Sequence, residues 1–229
     1  MGRNHSRVVR ELPELELVVI ADPKGDVYGL SGDTPVVDGV EKALTYDLDL
    51  AIIAVPTRFH EEVAIECARA RLPVLIEKPL ADTVESARRI IDGFARSGTK
   101  AFVGHIERFN PAIQALTERL KSQEIGEVLQ ITTRRQSAYP RRILDVGVVQ
   151  DLATHDFDLV HALSGSSYAD IAAFTARRDG QLHEEALVAS GRLEDGTLVN
   201  HLVSWLSPVK ERLIAVSGES GTFFANMLT

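Results

Sequence analysis

Two short segments of the sequence combine residue types that could move a proton. The first, Glu77-Lys78-Pro79, ends an apolar run that begins at Pro73. Such a run predicts a parallel strand buried on both faces, and ligands of open α/β sheets bind just beyond the carboxyl ends of these strands. Pro79 restricts Lys78 to extended geometry, so we expect the lysine stem to point in a fixed direction at a site of chemistry. A solvated Glu-Lys pair in a loop is the alternative.

The second segment is Asp151-Leu152-Ala153-Thr154-His155. On a helix, a carboxylate and an imidazole at this spacing lie on one face, about one turn apart. The aspartate can then orient the histidine and set its proton affinity, as a general base requires. A metal site that includes Asp158 is a second interpretation, but no other His, Cys or carboxylate motif with ligand spacing accompanies it. An Asp-His pair on a helix surface is the third.

Strands and helices alternate through the first hundred residues of the sequence. Apolar runs predict strands at 15–21, 50–55, 73–76 and 101–104, and amphipathic patterns predict helices at 3–11, 59–70 and 82–96. This order is typical of a doubly wound parallel sheet of the Rossmann type. Asp22 follows the run 15–21 and lies 20 residues after Gly2, the spacing of a carboxylate that binds an adenine ribose. An Asp that only turns the chain before Pro23 is the alternative.

The pattern changes after residue 104. Asn110-Pro111 is typical of a capped helix start, and the remaining patterns predict helices at 110–120 and 149–163 and strands at 128–136, 168–177, 184–193, 197–206 and 210–217. We therefore predict a dinucleotide-binding domain over residues 1–104. An α+β domain with an open, mainly antiparallel sheet should follow over residues 105–229.

Composition excludes several classes of protein. The net charge is −8 and no block of Lys or Arg stands out, so nothing suggests a nucleic-acid partner. No run has the length of a membrane span, and residues 1–6 lack the apolar core of a signal peptide. The single cysteine, Cys67, fits a reducing compartment, so we expect a cytoplasmic protein.

Several motifs together resemble the Gfo/Idh/MocA family of sugar and polyol dehydrogenases. They are, in chain order, Gly2 through Asp22, Val55-Pro56-Thr57 with His60, Glu77-Lys78-Pro79, Gly104 through Pro111, and Asp151-x-x-x-His155-Asp156. The resemblance implies a Rossmann domain that binds NAD or NADP. It also implies a second domain whose open sheet mediates homo-oligomerisation.

The resemblance also implies catalytic roles. Lys78 would hydrogen-bond the reacting hydroxyl, His155 would take its proton as hydride leaves the same carbon, and Asp151 would support His155. An alcohol is a poor hydride donor until its proton is being removed, so a base and a cation at one oxygen lower the barrier.

Binding residues follow from the same resemblance. The expected cofactor is NAD, because Asp22 would select an unphosphorylated ribose, although Lys24 keeps NADP open. The predicted cofactor-binding residues are Gly2, Asp22, Val55, Thr57, His60 and Glu77. The predicted substrate-binding residues are Arg108, Asn110, Tyr139 and Arg142.

The predicted substrate is a sugar or nucleotide sugar such as UDP-N-acetylglucosamine, oxidised at C3. Oxidation of a polyol such as inositol is the alternative. The arginines at 134–135 and 141–142 flank Tyr139 and could bind a diphosphate bidentately, or they could belong to a solvated strand and loop.

The sequence departs from the family pattern at both ends. Gly2 aligns with the last glycine of the phosphate-binding fingerprint, so the first strand and two glycines are missing, and the runs 15–21 and 50–55 should lack their shared neighbour. A strand that starts at Gly221 breaks off at Thr229. We expect either a truncated dehydrogenase or a non-catalytic sensor of dinucleotides or sugars. Retention of Lys78 with Asp151 and His155 favours the enzyme.

Overall fold

The computed structural model describes residues 1–27, 29, 31–140 and 146–228. The chain divides into two compact units, Met1–Gly104 and His105–Thr229. Each unit has a hydrophobic core of its own.

The first unit alternates short strands with helices. Its elements are α1 (Gly2–Glu11), β1 (Ile20–Ala21), β2 (Val36–Val37), α2 (Val40–Ala43), β3 (Ala51–Ile53), a 3₁₀ turn (Thr57–Phe59), α3 (His60–Arg69), β4 (Val74–Ile76), α4 (Val84–Ser97) and β5 (Ala101–Val103). All strand pairs in this unit are parallel. This is the strand-helix alternation that the sequence predicts.

The parallel strands form two separate sheets. β1 pairs with β2, and β4 lies between β3 and β5, with Leu75 beside both Ile52 and Phe102. In the part of the chain that the structure describes, no strand joins β1 to β3. The prediction that these two strands lack a shared neighbour is therefore confirmed.

The strand predicted at 15–21 is shorter than expected. Only Ile20 and Ala21 pair with a neighbour, and Leu15 is 40% exposed. A run of apolar residues becomes a strand only where another strand satisfies its backbone groups. β2 does this for two residues of the run.

Helices α3 and α4 cover the three-stranded sheet. Ile53, Val74 and Ile76 of the strands pack in one core with Ile90 and Phe94 of α4. Each such buried side chain contributes about 1.5–3 kcal/mol relative to an exposed one. Cys67 of α3 is a free, buried cysteine in the same core, where it packs as a small hydrophobic residue.

The start of α4 differs from the prediction by one residue. The sequence suggests a capping box from Asp82 to Glu85, but Thr83 is the N-cap, and its hydroxyl accepts a hydrogen bond from the Ser86 amide at 3.1 Å. Thr83 has the extended backbone that an N-cap needs. The Thr83 hydroxyl therefore caps the helix, the role that the predicted capping box gave to Asp82 and Glu85.

The described residues of the second unit form two α-helices and six strands. Its elements are a 3₁₀ turn (Ile106–Phe109), α5 (Pro111–Lys121), β6 (Val128–Ala138), a π-turn (Val149–Ala153), α6 (Thr154–Ser164), β7 (Tyr168–Ala176), β8 (Ala186–Leu193), β9 (Leu198–Ser204), β10 (Leu206–Gly218) and β11 (Gly221–Asn226). The strand order is β11-β10-β6-β9-β8-β7, and all neighbours are antiparallel except β6 and β9. The predicted open, mainly antiparallel sheet is confirmed.

Both helices of the second unit pack on one face of the sheet. Ile113 of α5 and Leu159 of α6 share a core with Ile131 of β6 and Ile214 of β10. The opposite face carries exposed apolar residues, among them Phe174, Val188 and Phe224. Among the described residues, no helix is long and apolar enough to cross a membrane.

Candidate functional site

Lys78 follows the carboxyl end of β4, at the edge where ligands bind in open α/β sheets. Backbone hydrogen bonds fix this end of the sheet: the Glu77 amide donates to Ile53 O at 2.9 Å, and the Gly104 amide donates to Ile76 O at 2.7 Å. Lys78 itself is half-buried, and the Lys78–Pro79 peptide is cis. The lysine therefore leaves the sheet from an anchored backbone.

Glu77 is buried and bound to the first helix. Its Oε1 accepts a hydrogen bond from His5 Nε2 at 2.6 Å. Gly104 lies beside it, and an added Cβ there would be at ordinary van der Waals distance, 3.5 Å, from the Glu77 carboxylate. The contact ties α1 to the end of β4, and the sequence offered no signal for it, since 72 residues separate the partners.

His60 lies beneath the Lys78 loop. Its side chain is 1% exposed, with Nε2 3.0 Å from Val55 O and Nδ1 3.0 Å from Pro79 O and 3.2 Å from Leu80 O. Val55, His60 and the Lys78 loop, which the sequence predicts at one site, are thus connected directly. The ring nitrogens face backbone oxygens of the protein. In a cofactor site, His60 would therefore act by holding these loops and not by contacting the cofactor.

The remaining predicted cofactor residues supply the groups that a dinucleotide needs. Asp22 is exposed after β1, where a carboxylate can accept ribose hydroxyls, and its Oδ1 accepts the Lys24 amide at 2.9 Å. Gly2 opens α1, and no atom lies within 4 Å of the position of an added Cβ, so a phosphate could approach the helix backbone there. Thr57 begins the 3₁₀ turn after β3. This donor and acceptor set fits NAD.

Asp151 and His155 lie on differently wound turns. The sequence predicts one helix over 149–163, but Val149–Ala153 is a π-turn and the α-helix begins at Thr154. The argument that residues four apart share one α-helical face therefore does not hold across this turn. Asp151 and His155 are both half-buried, and π-turns occur frequently at functional sites.

The π-turn is held from the loop between β7 and β8. The Val148 amide donates to Glu184 O at 3.0 Å, and the Val149 amide donates to Glu184 Oε1 at 3.1 Å. An added Cβ at Gly147 would lie 2.0 Å from that carboxylate oxygen, so the Glu184 side chain would have to move away. Glu184 is a residue that sequence reasoning missed, since its partners lie 35 residues away.

A buried ionic network fixes the first turn of α6, which carries His155. Arg135 is 1% exposed and donates from Nε to Asp156 Oδ1 at 2.8 Å and from Nη1 to Glu107 Oε1 at 2.7 Å. Arg212 also donates to Glu107, at 3.2 Å. Burial alone would lower the pKa of Arg135, but Asp156 and Glu107 raise it above its usual value. Arg135 therefore stays charged and ties β6 to α6.

The predicted substrate-binding residues have structural contacts. Arg108 donates to both carboxylate oxygens of Asp158, at 2.8 and 2.5 Å, and this raises its pKa. Asn110 caps α5 by accepting the Ala112 amide at 3.0 Å and donates to Met227 O at 3.1 Å. The ion pair between Arg108 and Asp158 connects the start of the second unit to α6.

Tyr139 and Arg142 complete the predicted set. The Tyr139 ring makes an edge contact with Trp205, with centroids 5.5 Å apart, and the Arg178 guanidinium lies 5.6 Å from its centroid. Arg142 lies outside the described residues.

The arginines of β6 do not form one cationic patch. Successive residues of a strand point to opposite faces, so Arg134 lies on the exposed face beside Glu211 while Arg135 is buried beneath the helices. The sequence left two interpretations of these arginines, a diphosphate site shared with residues 141–142 or a solvated strand and loop. Burial removes Arg135 from a shared diphosphate site, whereas Arg134 lies on the solvated face.

Asp158, which the second interpretation placed in a metal site, pairs with an arginine. Arg108 occupies both of its oxygens. No group of three or more His, Cys, Asp or Glu among the described residues could hold a metal ion.

Two sequence models match consecutive parts of the chain. Residues 1–105 match the model described as "Oxidoreductase family, NAD-binding Rossmann fold", and residues 113–224 match the "GFO/IDH/MocA C-terminal domain". The two matches meet close to the division between the compact units.

Individual relatives agree with this assignment. Inositol 2-dehydrogenase 2 of Saccharopolyspora erythraea is 34% identical over 136 residues, which are 58% of this chain and 40% of the relative. The structure of the WlbA dehydrogenase from Bordetella pertussis in complex with NADH and UDP-GlcNAcA superposes with a TM-score of 0.89 at 24% identity, covering 98% of this chain and 70% of that one. UDP-N-acetylglucosamine 3-dehydrogenase GnnA from Acidithiobacillus ferrooxidans gives 0.87 at 24% identity, covering 99% and 73%.

The chain spans about half the length of the curated relatives that it matches, from 40% to 56%. Within that span the NAD-binding model covers the parallel first unit, and the C-terminal-domain model covers most of the second unit with its open sheet. The chain belongs to the Gfo/Idh/MocA family of oxidoreductases.

Proposed function

We propose that the protein is an NAD-dependent dehydrogenase that oxidises a hydroxyl group of a sugar, nucleotide sugar or polyol. The observation that carries the proposal is the anchored Lys78 at the carboxyl end of β4, in a unit that matches the NAD-binding model. Asp22, Gly2 and the backbone around Val55 and Thr57 would hold the cofactor. Asp22 favours NAD over NADP, because a carboxylate repels a ribose phosphate.

The chain's own residues would handle the hydroxyl and its proton. Lys78 would donate a hydrogen bond to the reacting oxygen and stabilise the negative charge that develops there. His155 would take the hydroxyl proton at its imidazole, and Asp151 would support the resulting imidazolium. Bound NAD would supply the hydride acceptor.

The described arginines favour a substrate without a diphosphate. Arg108 is neutralised by Asp158, Arg135 is buried, and Arg134 is on the exposed face of the sheet. A polyol such as inositol is therefore preferred over a nucleotide sugar within the proposal. The inositol dehydrogenases among the relatives support the same preference.

Self-association and location are part of the proposal. The exposed apolar face of the second sheet supports a homo-oligomer, because contiguous apolar surface is typical of interaction sites. The single cysteine supports a reducing, cytoplasmic setting.

Substitution of Lys78 by Ala tests the proposed activity. Turnover with inositol or UDP-N-acetylglucosamine, followed as NADH absorbance, should fall by a factor on the order of 10² or more, since an oxyanion-stabilising donor is lost. NAD affinity, measured by calorimetry, should change little because Lys78 acts on the substrate oxygen.

Lys100→Ala is the matched control, since Lys100 is an exposed lysine before β5, and it should leave both quantities unchanged. Equal loss of turnover and NAD affinity in Lys78→Ala would contradict the assigned role. Binding of NAD without turnover of any sugar or polyol would favour a sensor.

A further inference from the structure

His60 is a buried polar group for which hydride transfer gives no direct task. Its ring is 1% exposed and lies between the loop that follows β3 and the loop that follows β4. Three backbone carbonyls surround the ring nitrogens, those of Val55, Pro79 and Leu80. Carbonyl oxygens only accept, so the ring must donate: an imidazolium donates to both loops, and a neutral ring donates to one of them.

These contacts bear on Lys78 because its neighbours on both sides are anchored. On the N-terminal side, the Glu77 amide donates to Ile53 O of β3 at 2.9 Å. On the C-terminal side, Pro79 O lies within hydrogen-bond distance of His60 Nδ1, at 3.0 Å. The backbone of Lys78 lies directly between these two contacts, so both of its neighbours are held in place.

The same ring contacts the segment proposed to line the cofactor. Nε2 lies 3.0 Å from Val55 O, and Val55 precedes Pro56 and Thr57 at the end of β3. His60 opens α3, so its backbone is fixed by the helix. One side chain thereby sets the distance between the cofactor-lining loop and the lysine loop.

We propose that His60 is a positioning residue that holds Lys78 in register with the loop at Val55–Thr57. The proposal rests on the proposed function for its effect on catalysis and on the geometry of the first unit for its effect on Lys78. Removing the ring nitrogens ends the hydrogen bonding between the ring and the loop carbonyls, so His60 no longer links the two loops. Displacement of a catalytic group by about 1 Å can reduce the rate on the order of 10²-fold.

The test compares His60→Phe, which keeps a ring but has no donor, with His60→Gln, which keeps one. The first readout does not need activity: lysines are dimethylated with ¹³C-formaldehyde, and the Lys78 methyl resonance, assigned by loss in Lys78→Arg, is followed by NMR. We expect the resonance to shift in His60→Phe and to return partly toward the wild-type position in His60→Gln. The resonances of Lys42 and Lys121 serve as internal references and should not move.

The second readout is steady-state kinetics. His60→Phe should lower kcat by a factor on the order of 10², with His60→Gln intermediate, while the KM of the sugar substrate changes by much less. His161→Phe replaces an exposed histidine in the second unit and is the matched control. It should alter neither readout.

An unchanged Lys78 resonance in folded His60→Phe, judged by circular dichroism, would overturn the proposal. If His60→Phe fails to fold, His60→Gln decides: a Lys78 resonance and kcat identical to the wild type would overturn it, and a change in both would support it. If the wild-type protein turns over no substrate, the proposed function fails, while the NMR comparison still tests the position of Lys78.

Discussion

His201 is a histidine that the fold keeps uncharged. It is fully buried in the second unit, with Nδ1 2.8 Å from the Thr133 hydroxyl and Nε2 2.8 Å from the Tyr168 hydroxyl. Burial lowers its pKa from 6.5 to about 4. A neutral ring donates at one nitrogen and accepts at the other, and the two hydroxyls can satisfy either arrangement. Burial and the two hydroxyl partners therefore stabilise the neutral form of His201.

Stability should depend on pH through this residue. Between pH 6.5 and about 4 the unfolded chain protonates His201 and the folded protein does not. The unfolded state then binds more protons, so stability falls as the pH falls through this window, by up to about 3 kcal/mol from this group. Urea unfolding at a series of pH values should show a shallower decline for His201→Gln than for the wild type.

His161→Gln provides the control, because His161 is exposed on α6 and its replacement should leave the pH dependence of stability as it is. Parallel stability curves for the wild type and His201→Gln would contradict the prediction. The test compares the slope of the unfolding free energy against pH, so a difference in absolute stability between the variants does not affect it.

At the scale of elements, local sequence patterns predict where helices and strands lie, whereas contacts between distant residues determine how particular turns and caps are held. Most strands of both units lie where apolar runs predict them, but β2 is not predicted, and only two residues of the run 15–21 form a strand. Asn110 caps α5 as its sequence indicates. The π-turn before His155 has no local signal, because Glu184 holds it from another loop. The contact of Asn110 with Met227 spans 117 residues, so sequence reasoning could not separate its structural role from substrate binding.

Period two in a strand explains the error with the arginines of β6. Neighbouring residues of a strand point to opposite faces, so Arg134 and Arg135 were never candidates for one anion site. Which of them is buried depends on the helices that cover one face of the sheet. The sequence does not show that Arg135 forms ion pairs with Asp156 and Glu107 on that face.

The buried network should make Arg135 far more sensitive to substitution than Arg134. Arg135→Met leaves Asp156 and Glu107 as buried carboxylates without their main cation and should cost about 3–5 kcal/mol in the free energy of unfolding. Arg134→Met removes only a partly exposed ion pair with Glu211 and should cost less than about 1 kcal/mol. Urea denaturation of the two variants measures the difference.

A compensated variant separates charge from packing. Adding Glu107→Gln and Asp156→Asn to Arg135→Met removes the uncompensated carboxylates, so much of the lost stability should return. Failure of the triple variant to regain stability would mean that the shape of Arg135, and not its charge, supports α6.

At the scale of the whole molecule, the open face of the second sheet carries apolar residues that no core covers. A row of paired residues crosses the sheet from edge to edge through Phe174, Val188, Leu202, Arg134, Leu213 and Asn226. Phe174 is 78% exposed, although a buried phenylalanine contributes about 1.5–3 kcal/mol. A twofold contact between copies would bury the row twice, because the same patch serves both partners.

Charges placed in this row should therefore prevent self-association. In a Phe174→Lys, Val188→Lys double variant, each copy would bring two cations into the contact and lose two apolar anchors, weakening association by about 100-fold or more. Sedimentation velocity over a concentration series should show oligomers for the wild type and monomers for the variant. Ile91→Lys places a lysine on an exposed apolar site of α4 and should keep the wild-type distribution. If the double variant and the wild type sediment alike, the exposed row is not the contact between copies.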